Sequence, residues 1–93
     1  MQNILVVGAG RSASTLIQYL LDYSEANDWQ VVVGDYDQSL AEKKVRSHPN
    51  GKAVFFDVFD EQQRNDGIRN ADIIVSMLPS RMHILLAEDC VFQ

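Results

Sequence analysis

Cysteine is almost absent from this 93-residue chain. Cys90 stands alone, which excludes an internal disulfide framework and fits a reducing compartment. Histidine is nearly as scarce, and His48, His83 and Cys90 are too scattered for metal-ligand spacing. Although 46% of the residues are hydrophobic, no run approaches the roughly 18 consecutive apolar residues of a membrane span. Positive charge is in short supply. Eight lysines and arginines against 13 acidic residues leave a formal net charge of −5, which argues against a general nucleic-acid surface. No basic stretch or cleavage site precedes the first apolar run, so a secretory signal is not expected. Repeats, low-complexity tracts and linkers are also missing. The expectation is one small α/β domain of cytoplasmic type.

What is present centres on residues 6–13, Val-Val-Gly-Ala-Gly-Arg-Ser-Ala. Ile4 to Val7 reads as a buried strand, and Gly8-x-Gly10-x-x-Ala13 is the dinucleotide fingerprint in its alanine-ending form. Gly8 permits a tight strand-to-helix turn. Gly10 has no Cβ to hold a pyrophosphate away from the backbone, and Ala13 lets the helix pack closely on the strand. The unpaired N–H groups and positive dipole end of that helix then face the phosphates.

Further along, Ala13, Leu16, Ile17, Leu20 and Leu21 recur at helical spacing, with fraying expected from Ser24 to Asn27. Trp29 to Gly34 is the second strand, its Val31-Val32-Val33 run suited to a strand covered on both faces. Asp35 ends it, placed to accept hydrogen bonds from both hydroxyls of an adenine ribose and to repel the extra phosphate of NADP. Asp37 is its rival, better suited to starting a helix or turn. No arginine directly follows Asp35, so NAD is favoured. Lys43, Lys44 and Arg46 lie further on, within plausible reach of a 2′-phosphate, which keeps NADP possible.

Residues 39–42, Ser-Leu-Ala-Glu, have capping-box spacing and open a short helix to about Ser47, which His48-Pro49-Asn50-Gly51 ends. His48 reads as a loop bystander. Ala53 to Val58 is the third strand, and Asp57 with Val58 at its end stands where an adenine ring lies in this fold. Asp60 to Gln63 repeats the capping spacing and starts a polar helix ending near Asn70, weakened by Gly67 and anchored by Ile68 and Ala71 alone. It is expected to be the least well-packed element. Ile73 to Leu78 is the fourth strand, and Ser80 caps a last helix with Ile84, Leu85, Ala87 and Val91. The resulting β-α-β-α-β-α-β-α order implies right-handed crossovers and a parallel Rossmann-type sheet in the order 3-2-1-4. The complete fold has about six strands, so this one reads as truncated.

This pattern resembles the N-terminal half of the dinucleotide-binding domain of saccharopine dehydrogenases, over essentially the whole chain. The matching pieces are Ile4 to Ala13, Val31 to Asp35, Phe56-Asp57-Val58, and residues 71–79 (Ala-Asp-Ile-Ile-Val-Ser-Met-Leu-Pro) with His83 four residues on. The resemblance implies an NAD(P)-dependent oxidoreductase of lysine metabolism acting at the secondary amine of an amino-acid conjugate. In the glutamate-forming version, hydride leaves saccharopine for the nicotinamide, and the imine is hydrolysed to glutamate and aminoadipate semialdehyde. By position, Gly8, Gly10, Arg11, Ser12 and Ala13 would meet the pyrophosphate, Asp35 the ribose, and Asp57 with Val58 the adenine. Leu78 and Pro79 would line the approach to the nicotinamide ribose.

Family members run to several hundred residues, so residues 1–93 correspond to the first portion of their nucleotide domain, and the amino-acid substrate would be held only by a full-length chain. No catalytic residue is assigned. His83 reads as a residue of a helix start, Arg81 as an exposed loop residue and Cys90 as a structural thiol. A competing class is the regulatory nucleotide-binding module that gates potassium transport. It shares the glycine motif, the acid after the second strand and an Ala-Asp opening of the fourth. The apolar fourth strand, last in the sheet, also predicts self-association through its edge.

Overall fold

The computed structural model describes residues 2–10 and 13–77. Within them run β1 (Gln2–Val7), α1 (Ser14–Asn27), β2 (Trp29–Asp35), α2 (Gln38–Val45), β3 (Gly51–Phe55), α3 (Glu61–Asn70) and β4 (Ile73–Ser76). The four strands are parallel in the order β3-β2-β1-β4, as the alternation of strands and helices requires. Ile4 pairs with Val31 on one side and Ile73 on the other, and Val7 with Gly34 and Ser76. This register brings the C-terminal ends of β1, β2 and β4 to one level.

Side-chain alternation divides the apolar runs between two layers. Ile4, Val6, Val31 and Val33 point to α1 and α2, where they meet Ala13, Ile17, Leu20, Leu21, Ala41 and Val45. Leu5 and Val7 point the other way, with Phe56 and Val58, and are covered by Ile68 and Ala71. Burial on both faces explains why these strands read as continuous hydrophobic stretches. α3 carries no buried residue of its own, in line with its polar sequence.

Several boundaries differ from the sequence reading, each for a local reason. α1 does not fray at Ser24 but runs to Asn27. The Ser24 side chain is wholly buried, its hydroxyl donating to the Leu21 carbonyl and accepting from Asn50 Nδ2. Asp28, at φ 57°, closes the helix in the left-handed conformation. α2 is capped by Asp37, which takes the helix-starting job expected of it, and not by Ser39: the Asp37 carboxylate accepts from the Leu40 amide at 3.3 Å, and the Ser39 hydroxyl donates to it at 2.6 Å. That helix stops at Val45 because Arg46 and Ser47 take left-handed backbone angles. His48 organises the turn that follows, its Nδ1 accepting from the Asn50 amide.

β3 begins earlier and ends earlier than the expected Ala53 to Val58. The Val31 amide already donates to the Asn50 carbonyl, and the ladder finishes where the Phe56 amide donates to the Asp35 carbonyl at 2.9 Å. Asp57 then turns the chain, accepting from the Phe59 amide at 3.0 Å, so Val58 lies in a turn rather than a strand. Asp60 caps α3 as expected, bonding the amides of Gln62 and Gln63. Gly67 is more than a weak point in that helix. A Cβ there would lie 3.0 Å from Phe56 Cε2 and 3.1 Å from Leu5 Cδ2, so its bareness lets α3 approach the sheet. β4 is the edge of the described sheet, with Ile73 exposed. Leu78, expected in β4, and the last helix lie outside the described residues.

Candidate nucleotide site

In a parallel sheet ligands gather at the carboxyl ends of the strands, and a groove of about 790 Å³ opens there. Gly8 and Gly10 form one side, Asp35 and Tyr36 the next, and Asp57, Val58 and Phe59 the far wall, with Met77 at the β4 end. The groove thus unites five of the expected site residues: Gly8, Gly10, Asp35, Asp57 and Val58. Ala13 lies beneath it, fully buried, its amide donating to the Gly10 carbonyl at 3.0 Å. Arg11, Ser12, Leu78 and Pro79, like Arg81, His83 and Cys90, lie outside the described residues.

Backbone geometry shapes the glycine loop. Gly8 has φ 101°, open to glycine at little cost, and its amide donates to the Gly34 carbonyl at 2.8 Å as the chain leaves β1. The next amide, of Ala9, donates to Asp35 Oδ2 at 2.7 Å. The other carboxylate oxygen, Oδ1, accepts from the Asp37 amide at 2.8 Å. Asp35 therefore joins the end of β2 to the loop after β1. On the far wall the Asp57 amide donates to Gln63 Oε1 at 2.8 Å, and Arg64 Nη1 donates to the Val58 carbonyl at 2.6 Å. These two bonds fasten the turn to α3. Val58 itself is buried and borders the groove.

The residues present fit a dinucleotide. A Cβ built on Gly10 meets no described atom within 4 Å, so the fold does not need a glycine there for its own packing. α1 also starts with no side-chain cap and no acid in its first turn, whereas α2 and α3 are capped by Asp37 and Asp60. Its first N–H groups are therefore not claimed by a carboxylate.

Sequence reading missed the aromatic walls. Tyr36 and Phe59 are 70% and 65% exposed, and the Tyr36 ring rests against Phe55 with centroids 5.4 Å apart. Their signal was positional, since each directly follows a residue already assigned to the site. The basic residues considered for a 2′-phosphate are elsewhere. Lys43, Lys44 and Arg46 line a separate groove between α1 and α2, with Ser14, Thr15 and Gln18, and Lys44 donates to the Ser14 hydroxyl. Among the described residues no cluster of His, Cys, Asp and Glu suits a metal, and no helix is long and apolar enough to cross a membrane.

Residues 4–93 match the family model described as the saccharopine dehydrogenase NADP-binding domain. The chain belongs to that family. Saccharopine dehydrogenase [NADP(+), L-glutamate-forming] of Schizosaccharomyces pombe is 31% identical over 83 residues, 89% of this chain but 18% of that protein. Apo saccharopine dehydrogenase (L-Glu forming) from Saccharomyces cerevisiae superposes with a TM-score of 0.85 at 22% identity, over 99% of this chain and 20% of the other. A Rossmann-fold NAD(P)-binding family protein from Shigella flexneri superposes with a TM-score of 0.74 at 18% identity, covering 99% of this chain and 45% of that one. The saccharopine dehydrogenase family thus supplies the fold and a cofactor of the NAD(P) class. The chain spans about a fifth of the length of the saccharopine dehydrogenases it matches.

Proposed function

We propose that this chain is the nucleotide-binding segment of a saccharopine dehydrogenase-like oxidoreductase, which oxidises the secondary amine of an amino-acid conjugate. The observation that carries the reading is the convergence of Gly8, Gly10, Asp35 and Asp57 on one groove at the carboxyl end of a parallel sheet. Gly8, Gly10, Arg11, Ser12 and Ala13 would surround the pyrophosphate, Asp35 the adenine ribose, and Asp57 with the Val58 backbone the adenine edge. Leu78 and Pro79 would flank the nicotinamide ribose. The bound cofactor supplies a hydride acceptor. This segment's own work is to hold and orient it, since a fixed geometry between reactants is what lowers the barrier.

The Ala71-Asp72 pair, which this chain shares with potassium-gating modules, does not favour a regulatory reading. Asp72 serves strand register here, bonding Asn3 through both its side chain and its backbone. The decisive experiment assays the protein carrying this segment for saccharopine-dependent formation of reduced nicotinamide. Turnover that disappears with Gly10→Val supports the proposal. Tight nucleotide binding with no turnover on saccharopine or related amine conjugates would favour the regulatory module instead.

A further inference from the structure

The family model and the Schizosaccharomyces pombe relative both carry NADP in their names, yet the described wall of this groove holds two acids and no base. We infer that it selects NAD over NADP, through a carboxylate locked in place at Asp35. The inference rests on the nucleotide-site reading above and extends it to the choice of ligand.

Three observations carry it. First, Asp35 has no freedom to retreat. Oδ2 is held by the Ala9 amide at 2.7 Å and Oδ1 by the Asp37 amide at 2.8 Å, two anchors on different loops. Rotating the carboxylate away to admit a phosphate breaks at least one charge-assisted bond and loosens the glycine loop. Each oxygen retains a further lone pair for a ribose hydroxyl. Second, no described residue of the groove wall is basic, while Asp57 adds a second acid across it. Lys43, Lys44 and Arg46, the cations nearest in sequence, line the groove between α1 and α2. Third, the position after the acid, where an arginine can serve a 2′-phosphate, holds Tyr36. Its ring leans on Phe55 and forms part of the groove wall.

A phosphate dianion beside a fixed carboxylate, with no facing cation among the described residues, lowers NADP affinity by about tenfold or more relative to NAD. Calorimetric titration of NAD and NADP into the wild-type chain, Asp35→Asn and Tyr36→Arg tests this. Asp35→Asn removes the charge but keeps one oxygen for an anchoring amide. Tyr36→Arg changes an exposed side chain and leaves the fold intact. The expected result is a wild type that prefers NAD, a preference reduced about tenfold in Asp35→Asn, and NADP affinity raised in Tyr36→Arg. A wild type that binds NADP as tightly as NAD overturns the selectivity while leaving the nucleotide site standing. Binding of neither nucleotide overturns the site reading and the selectivity together.

Discussion

Asn3 and Asp72 bond each other twice across the sheet: the Asn3 amide donates to Asp72 Oδ2 at 2.7 Å, and the Asp72 amide donates to the Asn3 carbonyl at 2.8 Å. The pair sits one residue before Ile4 and Ile73 meet in register. It therefore fixes how far β4 slides along β1, and with it the height of Met77 at the groove. Asp72→Ala removes the side-chain half and is expected to lower stability by about 1 kcal/mol, the usual worth of a net hydrogen bond at an exposed site. Asp72→Asn, which keeps an acceptor oxygen, should recover much of that. Urea unfolding midpoints of the three proteins check it.

Gly10→Val separates folding from binding. No described atom lies within 4 Å of a Cβ built on Gly10, so a branched side chain is expected to be accommodated and the unfolding midpoint should barely move. The same side chain fills the volume assigned to the pyrophosphate. NAD affinity is expected to fall by at least about 2 kcal/mol, roughly thirtyfold. Calorimetry on the folded variant measures it.

Gly67 answers differently, because its missing Cβ is used by the fold. Gly67→Ala sets a helix-propensity gain of about 1 kcal/mol against contacts of 3.0 and 3.1 Å to Phe56 and Leu5, and the two should nearly cancel. Gly67→Val adds branching against the same neighbours and is expected to cost about 1–3 kcal/mol. Thermal unfolding of both variants distinguishes this from a purely helical effect, in which valine would also improve on glycine.

Asp37 gives α2 a pH dependence. The Ser39 hydroxyl first, and the Leu40 amide second, hold its carboxyl below the ordinary value of 3.8. A depressed folded-state pKa means the stabilisation is complete above the unfolded value and is lost as pH falls through the folded one. Protection of the Leu40 and Ala41 amides against exchange, taken relative to the unstructured chain at the same pH, should therefore be full at neutral pH and fall below about pH 4. Asp37→Asn should keep the cap and lose that acid-side dependence.

The strands and their order were legible because an unbroken apolar run leaves a signature no loop shares: Val31-Val32-Val33, covered on both faces of the sheet, and Ile73-Ile74-Val75 at its edge have no polar side to show. The meeting of Gly8, Gly10 and Asp35 at one groove was legible for a related reason, since each stands at or just beyond a strand end. Less could be read where a side chain competes with the ladder. Asp57 turns the chain through its own carboxylate, which shortened β3, and two overlapping caps at Asp37 and Ser39 look alike until the backbone chooses one. Ser24 read as a fraying polar residue because its partner, Asn50, is 26 positions away. The separation of Lys43, Lys44 and Arg46 from the nucleotide groove was likewise invisible, because it depends on which side of α2 faces α1.

The dinucleotide is proposed to lie in the groove bounded by Gly8, Gly10, Asp35 and Asp57. Amide chemical shifts of the labelled chain, followed through a titration with NAD, test it most directly. Saturable changes are expected at Gly8 through Ala13, Asp35 through Asp37, Asp57 through Phe59 and Leu78, with Gln18, Lys43 and Arg46 unmoved. Changes centred on that second set, in the groove between α1 and α2, would contradict it.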